Sequence, residues 1–251
     1  MSPQKITHNC LAKVDWQEIE AQLQKLEQSF QLRSFLMLFA SVERYNSPNS
    51  DIDINRKLQK EIKDQEILEI ALSEWKKSEL VRAYLLMKIQ FLAQDQYCHA
   101  VNHVYQHGDN SEKIAILKSL SLLPHSSSFL SIAQDAHRSN VVTIFSALAL
   151  DNPFISEYFD QSSYNNVVLK AIFLDLPILK ICGIQKHRNK LLAKMIEDWM
   201  DEREAASRTI MPQVWPIIYP FLEENGMVRC QYYLKSKPEH AHWIKIAQSS
   251  G

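Results

Sequence analysis

The sequence predicts an all-α fold, built as a HEAT-like α-solenoid or as a compact array of stacked helical hairpins. Three observations predict it. Glycine is scarce, 4 in 251 residues with one of them terminal, whereas sheets joined by tight turns draw on glycine for their positive-φ positions. The three internal glycines, Gly108, Gly183 and Gly226, each fall between helix-like runs, where a left-handed C′ residue ends a helix. From Asn110 onward the apolar runs shorten into closely spaced pairs, the pattern of antiparallel stacked helices.

The first helix is expected to open at Asp15, because Glu18 three residues on completes a capping box, and Trp16, Ile19, Leu23, Leu26 and Phe30 then mark one face. A second helix covers 32–42. Its apolar run, 35–42, is well short of the roughly 20 residues that span a bilayer, so it reads as a core helix and no direct membrane insertion is expected. The turn chemistry of 45–51, with Pro48 between Asn46 and Asn49, marks a loop or subdomain boundary. Helices are then expected over 54–72, 78–92 and 94–107.

Shorter helices come next, over 111–122, 127–138, 141–150, 153–159 and 164–174. Asn140 is placed to cap 141–150, and Asn152-Pro153 reads as a cap followed by proline at the first helical position. Because 141–150 is apolar on nearly every side, it belongs in the middle of the stack. A long helix covers 187–207. Pro212, Pro216 and Pro220 around Trp215 each delete a backbone donor, so that element must be kinked or broken. Two short helices, 227–234 and 238–247, close the chain. The resulting organisation is a helical pair at 1–45, a helical segment at 54–107 packed on the domain after it, and a helical core at 108–251.

At 46% hydrophobic and 23% charged, the chain can bury a sizeable core in one large domain or two packed halves. Its 28 Lys plus Arg balance 29 Asp plus Glu, which lacks the basic footprint of a nucleic-acid binder. Cys10, Cys98, Cys182 and Cys230 show no CxxC spacing, and the amino terminus has no basic-then-apolar pattern; a reduced, cytoplasmic protein is expected.

Polar side chains stand among residues that otherwise read as buried helix: Arg138, Asn140, Asn152, Asn165, Asn166, Lys170, Arg188, Asn189, Glu202, Arg203 and Arg208. Buried polar groups cost free energy unless each finds a partner, so the cluster is either a ligand site or a structural network. On the long helix Leu192, Ile196 and Trp199 form an inward stripe that Arg203 continues, with Glu202 beside it. One reading is a polar or anionic ligand held by Arg203 and Arg138 with Glu202 orienting the arginine; the other is an ion-pair network tying helices together. Lys170, flanked by Leu169, Ala171 and Ile172, is a partly desolvated amine or a snorkelling surface lysine. Arg188 and Asn189 fall in the first turn of the long helix, where unpaired N–H groups favour anions. The candidate ligand-binding set is therefore Arg138, Asn165, Lys170, Arg188, Asn189, Glu202 and Arg203. Arg208 is explained by an exposed pairing with Asp201 or Glu204.

His99, His103 and His107 recur at four-residue steps beside Cys98. Each step rotates about 40° round the helix, so all three do not converge on one ion, and no carboxylate at ligand spacing completes a set. Asp198, Asp201 and Glu202 resemble magnesium-binding acidic clusters but lack a second acidic set, and read as a solvated face. No GxSxG, HExxH, GxGxxG or P-loop occurs. No metal and no cofactor is expected, and no catalytic residue is assigned.

Taken together, Asp109-Asn110-Ser111-Glu112-Lys113, Leu122-Leu123-Pro124, His137-Arg138-Ser139-Asn140-Val141, Asp151-Asn152-Pro153-Phe154, Tyr164 through Ala171, Gly183-Ile184 through Arg188-Asn189, and Glu202 through Arg208 resemble the EboA-domain family of bacteria in order and spacing. The resemblance covers about 106–216. It departs at His137, where the family shows Cys, at Asn166, where it shows Gln, and at Ser207, where it shows a Gly that could let a ligand approach the backbone. It implies a place beside a membrane-embedded prenyltransferase, a sugar-phosphate cyclase relative and hydrolase-like proteins, in the handling and export of secondary-metabolite precursors. The expected function is thus a non-enzymatic binding or scaffold protein whose partners are a small metabolite or those cluster proteins. The rivals are an enzyme acting on a polyprenyl or sugar-phosphate intermediate, with Arg138, Lys170, Arg188 and Arg203 against phosphate and Glu202 as acid or base, and a purely structural subunit of a pathway complex.

Overall fold

A computed structural model describes residues 16–44 and 75–249. Among these residues every regular element is helical and there is no strand. No helix among them is long and apolar enough to cross a membrane. The cap expected at Asp15, the turn at 45–51 and the helix at 54–72 lie outside the described residues. The chain groups into two compact units, 1–154 and 155–251.

In the first unit, α1 (Trp16–Gln28) buries Ile19, Leu23 and Leu26 and packs on α2 (Leu32–Ala40), which buries Phe35, Leu38 and Phe39. Next come α3 (Lys77–Lys88), α4 (Gln94–His107), α5 (Asn110–Ser119), α6 (Leu130–Arg138) and α7 (Val142–Ala149). The central rod is α5, which packs on α3, α4 and α7. It starts sharply because Asp109 accepts from the Glu112 amide at 2.9 Å while Glu112 accepts from the Asp109 amide at 2.8 Å, so two otherwise orphaned donors are satisfied. The stretch expected at the middle of the stack buries Ile144, Phe145, Ala147, Leu148 and Ala149, but Val141, Val142 and Thr143 are exposed at its start.

Two buried charges hold this unit's helices in register. Arg82 on α3, 1% exposed, donates to Glu43 at 3.1 Å, to the Ser111 hydroxyl at 3.2 Å and to the Phe39 carbonyl at 3.4 Å. Glu79, one turn earlier, takes Lys118 of α5 at 2.6 Å. Asn152 is 1% exposed and does more than cap: its side chain donates to the Leu117 and Ala147 carbonyls and accepts from the Phe154 amide. Asn140 is no cap. The helix begins one step later, with Val141 in the capping position and the Ser139 hydroxyl accepting from the Val141 amide.

The division between units falls at the start of α8 (Phe154–Tyr158). Within the second unit lie α9 (Gln161–Phe173), α10 (Ile184–His187), α11 (Lys190–Ala205), α12 (Trp215–Ile218), α13 (Glu224–Ser236) and α14 (Pro238–Ser249). The long helix α11 buries Leu192, Ile196 and Trp199 as its spacing requires, and packs on α9 and α12. The proline-spaced segment breaks into three short pieces: a 3-10 turn opened by Pro212, α12 with Pro216 in its first turn, and a second 3-10 turn at Tyr219–Phe221. Trp215 at its centre is fully buried, and α14 covers it while packing on α13.

The glycines do not serve the role expected of all three. Gly108 has φ −73° and Gly226 lies inside α13; only Gly183 is left-handed, at φ 75°, and it precedes α10 instead of ending a helix. Left-handed residues are instead His125, Asp151, Asp175 and Ser207. At Gly226 an added Cβ would lie 2.6 Å from the Glu197 carboxylate of α11 and 2.9 Å from Leu222, so that glycine leaves room for those two side chains.

Candidate functional site

The structure brings together two residues of the predicted ligand set, Asn165 and Asn189. Asn165 on α9, 1% exposed, accepts from Gln161 and from Asn189, both at 3.0 Å. Asn189 in turn caps α11 by accepting from the Leu192 amide at 2.9 Å and donates to the His187 carbonyl, which also takes Gln161. The side-chain oxygen and nitrogen of both asparagines are thus spent on other protein atoms. Arg188 donates to the Pro216 carbonyl at 3.1 Å and ties the loop before α11 to α12.

The rest of the set is dispersed. Arg203 donates to the Thr209 carbonyl at 2.9 Å and lies 5.4 Å from the Trp199 ring centre, where it holds the chain leaving α11. Glu202 is exposed, against its expected place beside the buried stripe, because the inward face of α11 ends at Trp199 and Met200. The charge that does link elements is one the sequence pattern did not single out: Arg229 of α13 takes the two carboxylates expected to face Arg208, pairing with Asp201 and, at 3.5 Å, with Glu204, which also accepts from Tyr233 at 2.8 Å. Lys170 is half-buried, and desolvation lowers its pKa. Arg138 belongs to the other unit, at the exposed end of α6.

A serine and a histidine also meet: the Ser156 hydroxyl lies 3.1 Å from His187 Nε2, with the imidazole stacked 4.4 Å from Tyr164. Nucleophilic activation needs the base to be oriented by a third group, and no carboxylate among the described residues bonds to His187. A Cβ on Gly183 would stand 2.2 Å from that hydroxyl, so the pair packs tightly against the left-handed turn before α10. On α4, His107 bonds the His103 carbonyl at 3.0 Å and the two rings stack at 4.2 Å. No group of three or more metal-ligating side chains gathers among the described residues.

One large concavity lies elsewhere in the second unit, a groove of about 1150 Å³. Asp175 after α9, the chain from Glu204 to Pro212, one face of α13 and the first turn of α14 line it. None of the seven predicted ligand residues does so, although Ser207 and Arg208 do. Ser207 has φ 52°, and the Arg208 amide donates back to the Arg203 carbonyl at 2.8 Å, which is the left-handed ending of a helix. Backbone conformation alone therefore favours glycine at this position, where the resemblance implies one.

The groove's most distinctive side chain is His240, 3% exposed on α14. Its Nδ1 accepts from the Trp215 indole at 2.9 Å. The sequence could not point to it, because its partner stands 25 residues away and on a different helix.

No curated protein and no solved structure matches this chain. A family model described as metabolite traffic protein EboA matches residues 4–219, further toward the amino terminus than the stretch that carries the resemblance and short of α13 and α14. The chain belongs to the EboA family.

Proposed function

We propose that this chain is a non-enzymatic binding protein that holds a small molecule in the processing or export of a secondary-metabolite precursor, with the groove of the second unit as its seat. The observation that carries this reading is the groove itself. At about 1150 Å³ it has room for a whole small molecule, and ligand sites are typically concavities of about 300–1000 Å³ with a few placed polar groups among apolar ones. The family description, metabolite traffic, agrees with holding and passing on more than with turnover. A cytoplasmic location, and a membrane prenyltransferase or hydrolase-like proteins as the givers and takers of the molecule, belong to the same proposal.

The amide group at Asn165 and Asn189 and the Arg203 contacts enter this reading as the frame that fixes α9, α11 and the start of the groove wall. Gentle purification from the native host followed by native mass spectrometry tests it. The expected result is an added mass that leaves on denaturation and is absent from the Val228→Asp variant. A chain that emerges at its bare mass and without a companion protein overturns the proposal.

A further inference from the structure

The occupant's chemistry follows from the groove's lining, an inference that rests on the binding reading above. One wall is apolar: Val228 and Tyr232 stand one turn apart on α13 and are 63% and 60% exposed. The charges around it cancel. Asp175, Glu204 and Glu239 oppose Arg208, Arg229 and Lys237, and Arg229 and Glu204 face each other directly. The groove therefore offers no net charge to attract an ion.

His240 supplies the directional contact. An indole N–H only donates, so the Trp215 bond requires a lone pair on Nδ1, and in the neutral ring the proton then sits on Nε2. That nitrogen has no hydrogen-bond partner among the described residues, and the side chain lines the groove. Desolvation lowers the pKa of His240, which keeps the ring neutral. The neighbouring Tyr233 hydroxyl is already committed to Glu204. A donor that the protein leaves unpaired at the groove wall gives a ligand oxygen one directional hydrogen bond.

We infer that the groove takes a neutral, flat-bodied amphipathic molecule that lays an apolar face on Val228 and Tyr232 and presents a carbonyl or hydroxyl oxygen to His240 Nε2. Nile red, an uncharged planar dye with a ring carbonyl, is a suitable probe, and anilinonaphthalene sulfonate is its anionic counterpart. Titrated into the full chain, Nile red should bind saturably at one site and more tightly than the sulfonate. Val228→Asp, at an exposed position and expected to leave the circular dichroism spectrum unchanged, should weaken binding at least about tenfold, as burying a charge against an apolar face requires. His240→Phe should weaken it by about tenfold, the weight of one hydrogen bond. Should His240→Phe fail to fold, the Val228 variant carries the test alone.

Absence of saturable Nile red binding, or binding indifferent to Val228→Asp, overturns the inference. Tighter binding of the sulfonate, displaced by inorganic phosphate, overturns the neutral class yet leaves the binding reading standing, because an anionic molecule would then occupy the same groove. A bare mass after native purification combined with saturable Nile red binding separates the two in the other direction.

Discussion

At Ser207 a residue with a Cβ occupies backbone that favours glycine. The left-handed conformation costs an L-residue about 1–2 kcal/mol, and glycine returns part of that as lost chain entropy. Ser207→Gly should therefore stabilise the protein by about 1 kcal/mol and raise the melting temperature by about 2–4 °C; a lower melting temperature would show that the serine side chain makes a compensating contact. The opposite case is Asn165, whose oxygen takes both Gln161 and Asn189 inside the protein. Asn165→Leu leaves those two donors without their acceptor and should cost about 2–3 kcal/mol in urea unfolding. Unchanged stability, with loss of a bound molecule instead, would move Asn165 from frame to ligand site.

The helices themselves were largely legible from spacing. Residues 94–107 form the predicted helix to the residue, and Leu192, Ile196 and Trp199 make the predicted stripe, because one-sided burial dictates the period. Starts and stops were less legible. The pattern of glycines misplaced two of three helix ends, since Asp175 and Ser207 take the left-handed positions and no local signal distinguishes them from other polar residues. The groove was invisible for a further reason: its wall comes from the end of α11 and the chain after it, one face of α13 and the first turn of α14, and segments joined only by tertiary packing leave no common periodicity. Gly183 shows how an element depends on one such position. At φ 75°, with Ser156 at 2.2 Å from any added Cβ, Gly183→Ala combines the left-handed penalty with overpacking and should cost about 3 kcal/mol. Thermal unfolding of the purified variant reads this directly, and a loss below about 1 kcal/mol would mean that the turn before α10 relaxes at little expense.

For the molecule as a whole, the groups with displaced protonation set how stability responds to acid. His240 has a lowered pKa because burial disfavours its charged form, outweighing Glu239, which pulls the other way; Lys237 pushes further down. The unfolded chain then binds this proton more readily, so the stability it contributes is complete above the ordinary histidine value of about 6.5 and is lost as pH falls through the lower folded value. Protonation also puts a hydrogen on Nδ1, where the Trp215 indole already points one, so the α12 to α14 contact opens with it. The caps respond at lower pH: burial pushes Asp109 up but the Glu112 and Ser111 donors together outweigh it, Asp160 is held low by Ser163, and the contribution of both is lost as pH falls below about 3.8 through those lowered folded values. Glu197 acts against them, since desolvation raises its pKa and protonation relieves a penalty. Urea unfolding between pH 7.5 and pH 5 should accordingly show a decline in the natural protein that His240→Phe removes, whatever the variant's absolute stability, because subtraction cancels every other titrating group. Parallel pH profiles for the two proteins would mean that His240 takes up its proton as readily in the folded chain as in the unfolded one, and that neither burial nor the Trp215 bond opposes it.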